Sequence, residues 1–251
     1  MSFNIPIILI SIVTGFIITR HNVGDKEFIA IGSRFEKNIC HLNLPDCEGT
    51  IIKYNWIVTA AHCAIEIKEK LDAKTPHSVI IMDDHYLVDR VIIHEKWSKD
   101  GAYDIALLHL KTRASNSEPV DIYTGDNELN KLVYLVGRGD FGNGKKGVMG
   151  NDGKLRGATN RVDEATGYWL KWTFDDPDAF PEKATKYEGI SGPGDSGGPA
   201  FIVEESKKYL VGISSAQSTR ASNGIEGVYG VKEYYVRVSR YKDWIKEHLR
   251  L

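Results

Sequence analysis

Short apolar runs rich in β-branched and aromatic residues recur along the chain, each bounded by Gly, Asn, Asp or similar turn residues. They include Phe28–Ile31, Thr50–Ile52, Trp56–Thr59, Val79–Met82, Tyr86–Val88, Ile105–Leu108, Leu132–Val136 and Tyr209–Ile213. Many short strands separated by turn clusters predict a sandwich or barrel rather than alternating βα units. Between Arg138 and Arg156 the chain is heavy in Gly, Lys, Asn and Asp and predicts a long loop. One helix is predicted near the C-terminus. Tyr241, Trp244, Ile245 and Leu249 recur at helical spacing, Ser239 stands where a cap belongs, and Lys and Arg gather toward the end. Its apolar face is expected to pack on the barrel.

Composition narrows the class without naming a function. A chain of 251 residues, 42% hydrophobic and 26% charged, suits one β-rich domain with a sizeable core. The formal net charge of −2 gives no basic footprint, so a nucleic-acid partner is not expected. Residues 1–16 are apolar and the first charge is Arg20. That stretch is short for a bilayer span, which needs about 20 apolar residues. It reads as a signal-peptide core ahead of a domain at 17–251, with a buried N-terminal strand as the alternative. The three cysteines, Cys40, Cys47 and Cys63, leave one over after any pairing. Export permits a disulfide.

Three segments carry candidate chemistry. In Trp56-Ile-Val-Thr-Ala-Ala-His62-Cys63 a strand ends in two small residues and delivers His62 beside Cys63. Alone, such a histidine is more often packed or solvated than catalytic. In Tyr103-Asp104-Ile-Ala-Leu-Leu108 one acid precedes an apolar strand, where it either solvates the strand start or orients a histidine. Ser191-Gly-Pro-Gly-Asp-Ser196-Gly-Gly-Pro199 sets a serine among glycines. Glycine permits positive φ and close backbone approach, so the amides of Gly194 and Ser196 can converge as an oxyanion hole. A plain Gly-rich turn explains the glycines but not the whole string.

Together, Thr59-Ala-Ala-His-Cys63, Asp104-Ile-Ala-Leu-Leu108 and Gly194-Asp-Ser-Gly-Gly-Pro199 resemble the three signatures of trypsin-like serine proteases. Their order, His then Asp then Ser, is that of the chymotrypsin-type fold. Val236–Ile245 resembles that family's last strand and helix. The resemblance implies an all-β fold of two six-stranded antiparallel β-barrels with a C-terminal α-helix. It also implies a secreted, monomeric endopeptidase acting on proteins or peptides without a cofactor. His62, Asp104 and Ser196 would form the triad, with Ser215 bordering the buried acid and substrate. Cys47 and Cys63 would form a disulfide, leaving Cys40 free or paired between molecules. The sparse disulfides, Asp152–Asn160 and Phe174–Pro177 resemble bacterial secreted members.

Departures from the pattern bear on maturation and specificity. Family members begin with Ile-Val-Gly-Gly, whose amine pairs with the acid before the nucleophile. Here Asp195 is present and the best match is Ile17-Ile-Thr-Arg20, so leader removal after Phe16 is expected to expose the partner amine. Where Arg- and Lys-specific members carry a pocket-base Asp, this chain has Ile190, and Gln217 occupies a wall position usually held by Gly. A small or medium apolar residue is therefore expected before the cleaved bond, although Glu188, Glu226 or Glu233 can still reach the pocket. Gly137-Arg-Gly-Asp-Phe-Gly142 has a dinucleotide-binding spacing, but the Asn-Gly-Lys-Lys-Gly run after it cannot hold the required helix. The enclosed Arg138-Gly-Asp140 is short enough to occur by chance. No metal site is expected from the scattered His62, His77, His85, His94 and His109. The remaining rival is a non-catalytic binding module on the same fold.

Overall fold

A computed structural model describes residues 17–98 and 103–250. The expected leader at 1–16 lies outside the described residues. The N-terminal half closes a six-stranded barrel from Ile39–His41, Glu48–Lys53, Trp56–Thr59, Ala106–Leu110, Asp84–Ile93 and His77–Ile81, in that neighbour order. Its pairings are antiparallel. Ile51, Ile57, Val58, Val79, Ile81, Leu107 and Leu108 are wholly buried; the consecutive pairs Ile57–Val58 and Leu107–Leu108 point to opposite faces, so these two neighbouring strands are covered on both sides. The C-terminal half is a half-barrel, an eight-stranded sheet running from Arg156–Arg161 through Leu132–Gly137, Pro199–Glu204, Lys207–Ser218, Lys232–Arg237 and Trp169–Thr173 to Glu164–Thr166. Asp121–Ile122 pairs beside Lys207–Ser218. A side chain helps join its ends: buried Asn160 donates through Nδ2 to the carbonyls of Thr173 and Gly189, each at 3.0 Å. The all-β fold class expected from the sequence is therefore present.

A smaller four-stranded sheet sits beside these, in the order Gly147–Gly150, Phe141–Asn143, Ile18–Thr19, Gly189–Ile190. Two of its strands lie within the stretch predicted as a plain loop at 138–156. That stretch folds back as a hairpin, Phe141–Asn143 against Gly147–Gly150.

A helix corrects the strand reading in one place. Phe28–Ile31 lies inside helix α1, Asp25–Ser33, and is not a strand. The helix is fixed by what it packs on. A Cβ at Gly32 would fall 2.7 Å from the Arg156 carbonyl carbon, so glycine alone allows that approach. The Arg156 guanidinium then bonds Asp25 in the first turn at 2.6 and 2.9 Å. Helix α2, Ala61–Asp72, follows the strand that delivers His62. The C-terminal helix α3, Lys242–His248, is preceded by a 3-10 turn, Val238–Tyr241. Ser239 does not cap it, because its hydroxyl donates to buried Glu128 at 2.6 Å instead. Ile245 and Tyr241 are buried, as the apolar face requires.

Candidate active site

His62 occupies the first turn of α2, just after the buried strand Trp56–Thr59. Asp104 precedes Ala106–Leu110, the neighbouring strand of the barrel, so strand pairing brings the two together. Tyr103 before it adopts φ 61°, an unusual conformation for a bulky residue. Its ring is held 4.9 Å from His94 and 4.8 Å from Tyr168. That packing maintains the turn which aims Asp104 inward.

The Asp104 carboxylate is 2% exposed and fully engaged. Oδ1 accepts from the His62 backbone amide at 2.9 Å, and Oδ2 meets His62 Nδ1 at 2.7 Å. The Ser215 hydroxyl donates to Oδ2 at 2.6 Å. Burial disfavours the charged imidazole, but the charge and hydrogen bond of Asp104 outweigh it and hold the His62 pKa above its ordinary value. The carboxylate therefore fixes the ring and favours its protonated form.

Ser196 comes from the other half of the molecule, and its backbone lies against Cys63, the residue after His62. Its carbonyl accepts from the Glu48 amide at 2.8 Å and lies 3.5 Å from Cys63 Sγ. Cys47 and Cys63 form a disulfide, and Cys47 is bridged to Ser196. One cross-link thus joins the residue after His62 to the segment that pairs with the backbone of Ser196. Cys40 is free and buried. Gly194 and Gly197 flank the serine with φ of 96° and 76°. At Gly197 a Cβ would also fall 2.1 Å from Thr59 Oγ1, so no other residue fits there. The Gly197 amide donates to the Ser214 carbonyl and the Ser214 amide to the Gly198 carbonyl, both at 2.9 Å, stitching the loop to the strand of Ser215.

Asp195 is buried beneath this loop. Its carboxylate accepts from the amides of Gly192 at 3.0 Å and Gly139 at 3.2 Å. Burial pushes its pKa up to about 7 against those bonds. Ile17 is 1% exposed, and the adjoining Ile18 pairs with Gly142 on one side and Ile190 on the other. Segments neighbouring Asp195 in sequence and in space thus flank the start of the described chain.

The specificity candidates separate. Ile190 is wholly buried in the apolar cluster that contains Ile17, Ile18, Trp172 and Phe174. The polar group in its place is Ser191, whose amide and hydroxyl donate to Glu233 at 2.8–2.9 Å. Gln217 Nε2 donates to Glu233 Oε1 at 2.6 Å and to the Ser191 carbonyl at 2.5 Å. Glu233 has no exposure, and burial raises its pKa to about 8 despite these donors. Of the three acids left open by the sequence, Glu233 joins the Ser191–Gln217 network, whereas Glu188 is taken by Thr185 and the Asp175 amide. Spacing alone does not fix the register of Glu233, so the sequence could not single it out.

Other sequence features resolve into structure. The Arg138 amide donates to Glu48 and its guanidinium to Glu36, while Asp140 is buried, so Arg138-Gly-Asp140 is not displayed as an open tripeptide. His21, Asp176 and Asp178 offer ligand atoms within 4.8 Å of one another, a grouping the sequence did not reveal. The Lys145 ammonium already pairs with Asp178, and Tyr229 holds His21 Nδ1. Among the described residues, no helix is long and apolar enough to cross a membrane.

Comparison with known proteins agrees with this geometry. Residues 33–245 match the family model described as Trypsin. Chymotrypsin-like elastase family member 1 of Homo sapiens is 28% identical over 216 residues, covering 79% of each chain. The protein of that name from Felis catus is 28% identical over 233 residues, covering 79% of this chain and 77% of its own. Coagulation factor IX of Cavia porcellus is 30% identical over 220 residues, covering 79% of this chain and 71% of its own.

Proposed function

The chain belongs to the trypsin family and is a serine endopeptidase, and from that premise we propose that His62, Asp104 and Ser196 are its catalytic triad. Ser196 Oγ attacks the scissile carbonyl while His62 Nε2 takes the hydroxyl proton. His62 then delivers that proton to the leaving amine, which leaves an acyl-enzyme on Ser196. Water attacks the ester in the same way and regenerates the serine. Asp104 stays ionised throughout, orienting His62 and stabilising its charged form. The amides of Gly194 and Ser196 receive the developing oxyanion; one such donor contributes roughly 3–4 kcal/mol to lowering the barrier.

The observation that carries this reading is the double hold of Asp104 on His62, through the backbone amide and Nδ1, with Ser215 on the same carboxylate. Hydrogen bonds to Ser196 run through its backbone; contacts of the nucleophile hydroxyl commonly tighten only when substrate binds.

Two finer points belong to the same reading. An amine freed at Ile17 neutralises the buried Asp195, a carboxylate that otherwise has only amide donors. The Cys47–Cys63 disulfide fits an oxidising compartment, so the chain is exported with removal of its leader. Its substrates are proteins or peptides with a short side chain before the cleaved bond, because Gln217 and Glu233 fill the space a long one needs.

A fluorophosphonate probe on the secreted protein, with its N-terminus sequenced in the same sample, tests the reading. Labelling is expected at Ser196, abolished by Ser196→Ala, on a chain starting at Ile17. Correctly processed protein that does not react would favour the non-catalytic binding module.

A further inference from the structure

Glu48 has no part in the triad, yet its backbone is the seat of the nucleophile. Its amide holds the Ser196 carbonyl at 2.8 Å, and its own carbonyl accepts from Thr59 at 2.7 Å. Its side chain turns inward and is 1% exposed. Oε1 accepts from the Arg138 amide at 2.7 Å, while Oε2 has no hydrogen-bond partner among the described residues. The next amide along the chain, Gly139, donates to Asp195 Oδ1 at 3.2 Å. Consecutive amides of one segment therefore hold two buried carboxyl groups side by side. A Cβ at Gly198 would fall 3.2 Å from Glu48 Oε2 and 2.8 Å from the backbone carbonyl oxygen of Asp195, so the Glu48 carboxyl group lies against the nucleophile loop itself.

Two adjacent buried carboxylates cannot both stay ionised without a cation, and a bare carboxylate oxygen out of water is costly. Among the described residues no cation is paired with either group. The Arg138 charge lowers the Glu48 pKa by less than burial and Asp195 raise it, and its guanidinium is turned to Glu36 at 2.7 Å. From the strand Ile39–His41, Cys40 is buried and uncharged and His41 has its pKa lowered by burial. Asp140 on the 138–142 segment adds negative charge beside Asp195, and Asp46 on the preceding loop has its own pKa raised by burial and Asp140. A proton is the remaining partner for Oε2.

We propose that Glu48 is a positioning residue that holds one proton between its own carboxyl group and that of Asp195, keeping the nucleophile loop closed over a single buried negative charge. The inference rests on Ser196 being the nucleophile. It applies before and after maturation. Without an Ile17 amine, the proton is shared by the two acids. With that amine paired to Asp195, the proton stays on Glu48. When base removes it, the proton leaves to solvent and both carboxylates are charged. Their repulsion then acts on the segment proposed to form the oxyanion hole, Gly192–Ser196, and on Arg138–Gly139, whose amides hold the two carboxyl groups. Burial raises the pKa of both groups, in the direction this requires.

Glu48→Gln provides the test, since an amide imitates the protonated acid and cannot ionise. The rate of Ser196 labelling by a fluorophosphonate is measured from acid to alkaline pH on secreted, processed protein, wild type and variant. Both are expected to share the acid limb set by His62. The alkaline decline is expected to move upward in Glu48→Gln by about one pH unit or more. Superimposable alkaline limbs in two proteins that label would overturn the proposal and leave the serine-protease reading intact. No labelling of either at any pH would overturn the nucleophile assignment, and the role of Glu48 with it. Should Glu48→Gln fold poorly, infrared titration of a Glu188→Gln/Glu233→Gln protein, which lacks the other raised glutamates, decides. A protonated carboxyl stretch should persist at neutral pH and disappear with base, and its absence would refute the shared proton.

Discussion

Gln217 and Glu233 face one another on adjacent antiparallel strands and are joined by a 2.6 Å hydrogen bond from Nε2 to Oε1. Ser191 completes the contact by donating its amide and hydroxyl to the same carboxyl group. The strand that carries Gln217 also carries Ser215, which touches Asp104. On the proposed reading, the network adjoins the triad and occupies the position where a substrate side chain would seat.

Gln217→Gly should open that space. Peptides with Ala or Val before the cleaved bond are expected to be the better substrates of the wild-type enzyme. The variant should gain roughly 10–100-fold in kcat/KM for Lys or Arg relative to Ala, because Glu233 loses a donor and can accept a cationic side chain. A peptide panel measures the ratio. Strong wild-type preference for Arg would contradict the assignment.

Asp104→Asn should leave the fold in place and cut kcat by about 10⁴-fold, the loss that this change causes in the family's worked-out triad. The pH profile carries the sharper sign. Activity needs neutral His62, so it rises with pH through the His62 pKa, which Asp104 holds above its ordinary value. Removing the charge should move the acid limb of residual activity to lower pH. An acid limb that stays put in Asp104→Asn would argue against His62 as the titrating base.

Much of this site was legible in the chain. Turn chemistry around Ser196, the acid before an apolar strand and the His beside a Cys each admit a bland reading, and their ordered combination removes it. Helix α1 was not legible, since Phe28–Ile31 carries a strand-like composition that packing of Gly32 against Arg156 overrides. Helix α2 did carry a signal, in the i,i+4 pairs Glu66–Lys70 and Lys68–Asp72, which a strand-centred reading passes over. Ser239 has the look of a cap and is instead the hydrogen-bond partner of Glu128. Glu48 was invisible for a different reason. Its significance depends on an amide far along the chain, at Arg138, and no local pattern encodes that contact.

The half-barrel depends on a buried ion pair. Arg237 donates through Nε and Nη2 to Glu128 at 2.9 and 2.6 Å, and the two side chains are 3% and 0% exposed. Arg237 also binds the carbonyls of Ala165 and Asp126. Glu128→Ala would strand the guanidinium and the Ser239 hydroxyl away from water. We expect a loss of about 3–5 kcal/mol in denaturant unfolding, measured in the Ser196→Ala background to prevent self-digestion. A loss under about 1 kcal/mol would mean that the pair is replaceable by water, as exposed pairs are.

Stability should fall as pH rises through neutrality, the reverse of a protein held by ionised surface carboxylates. Burial raises Glu188 and Glu233 from 4.5 to about 8. The folded state thus binds more protons than the unfolded state between those limits, and stability drops with pH wherever that holds. Its contribution is complete below the unfolded values and exhausted above about 8 for Glu188 and Glu233. His62, raised by Asp104, works in the same direction, losing its contribution as pH rises through its folded value. His41, His77 and His94 are lowered by burial and work oppositely, gaining stability as pH rises toward 6.5. The net fall should therefore be clearest from about pH 7 to about pH 8, where the histidine gain is spent and the two glutamates still titrate. For a domain of this length a loss of about 1 kcal/mol lowers Tm by about 2–4 °C, which thermal unfolding of Ser196→Ala resolves. Glu233→Gln, neutral at every pH, should flatten the decline. A Tm that climbs across this interval, or an equal slope in the Glu233→Gln protein, would show that these carboxyl groups ionise without cost in the folded chain.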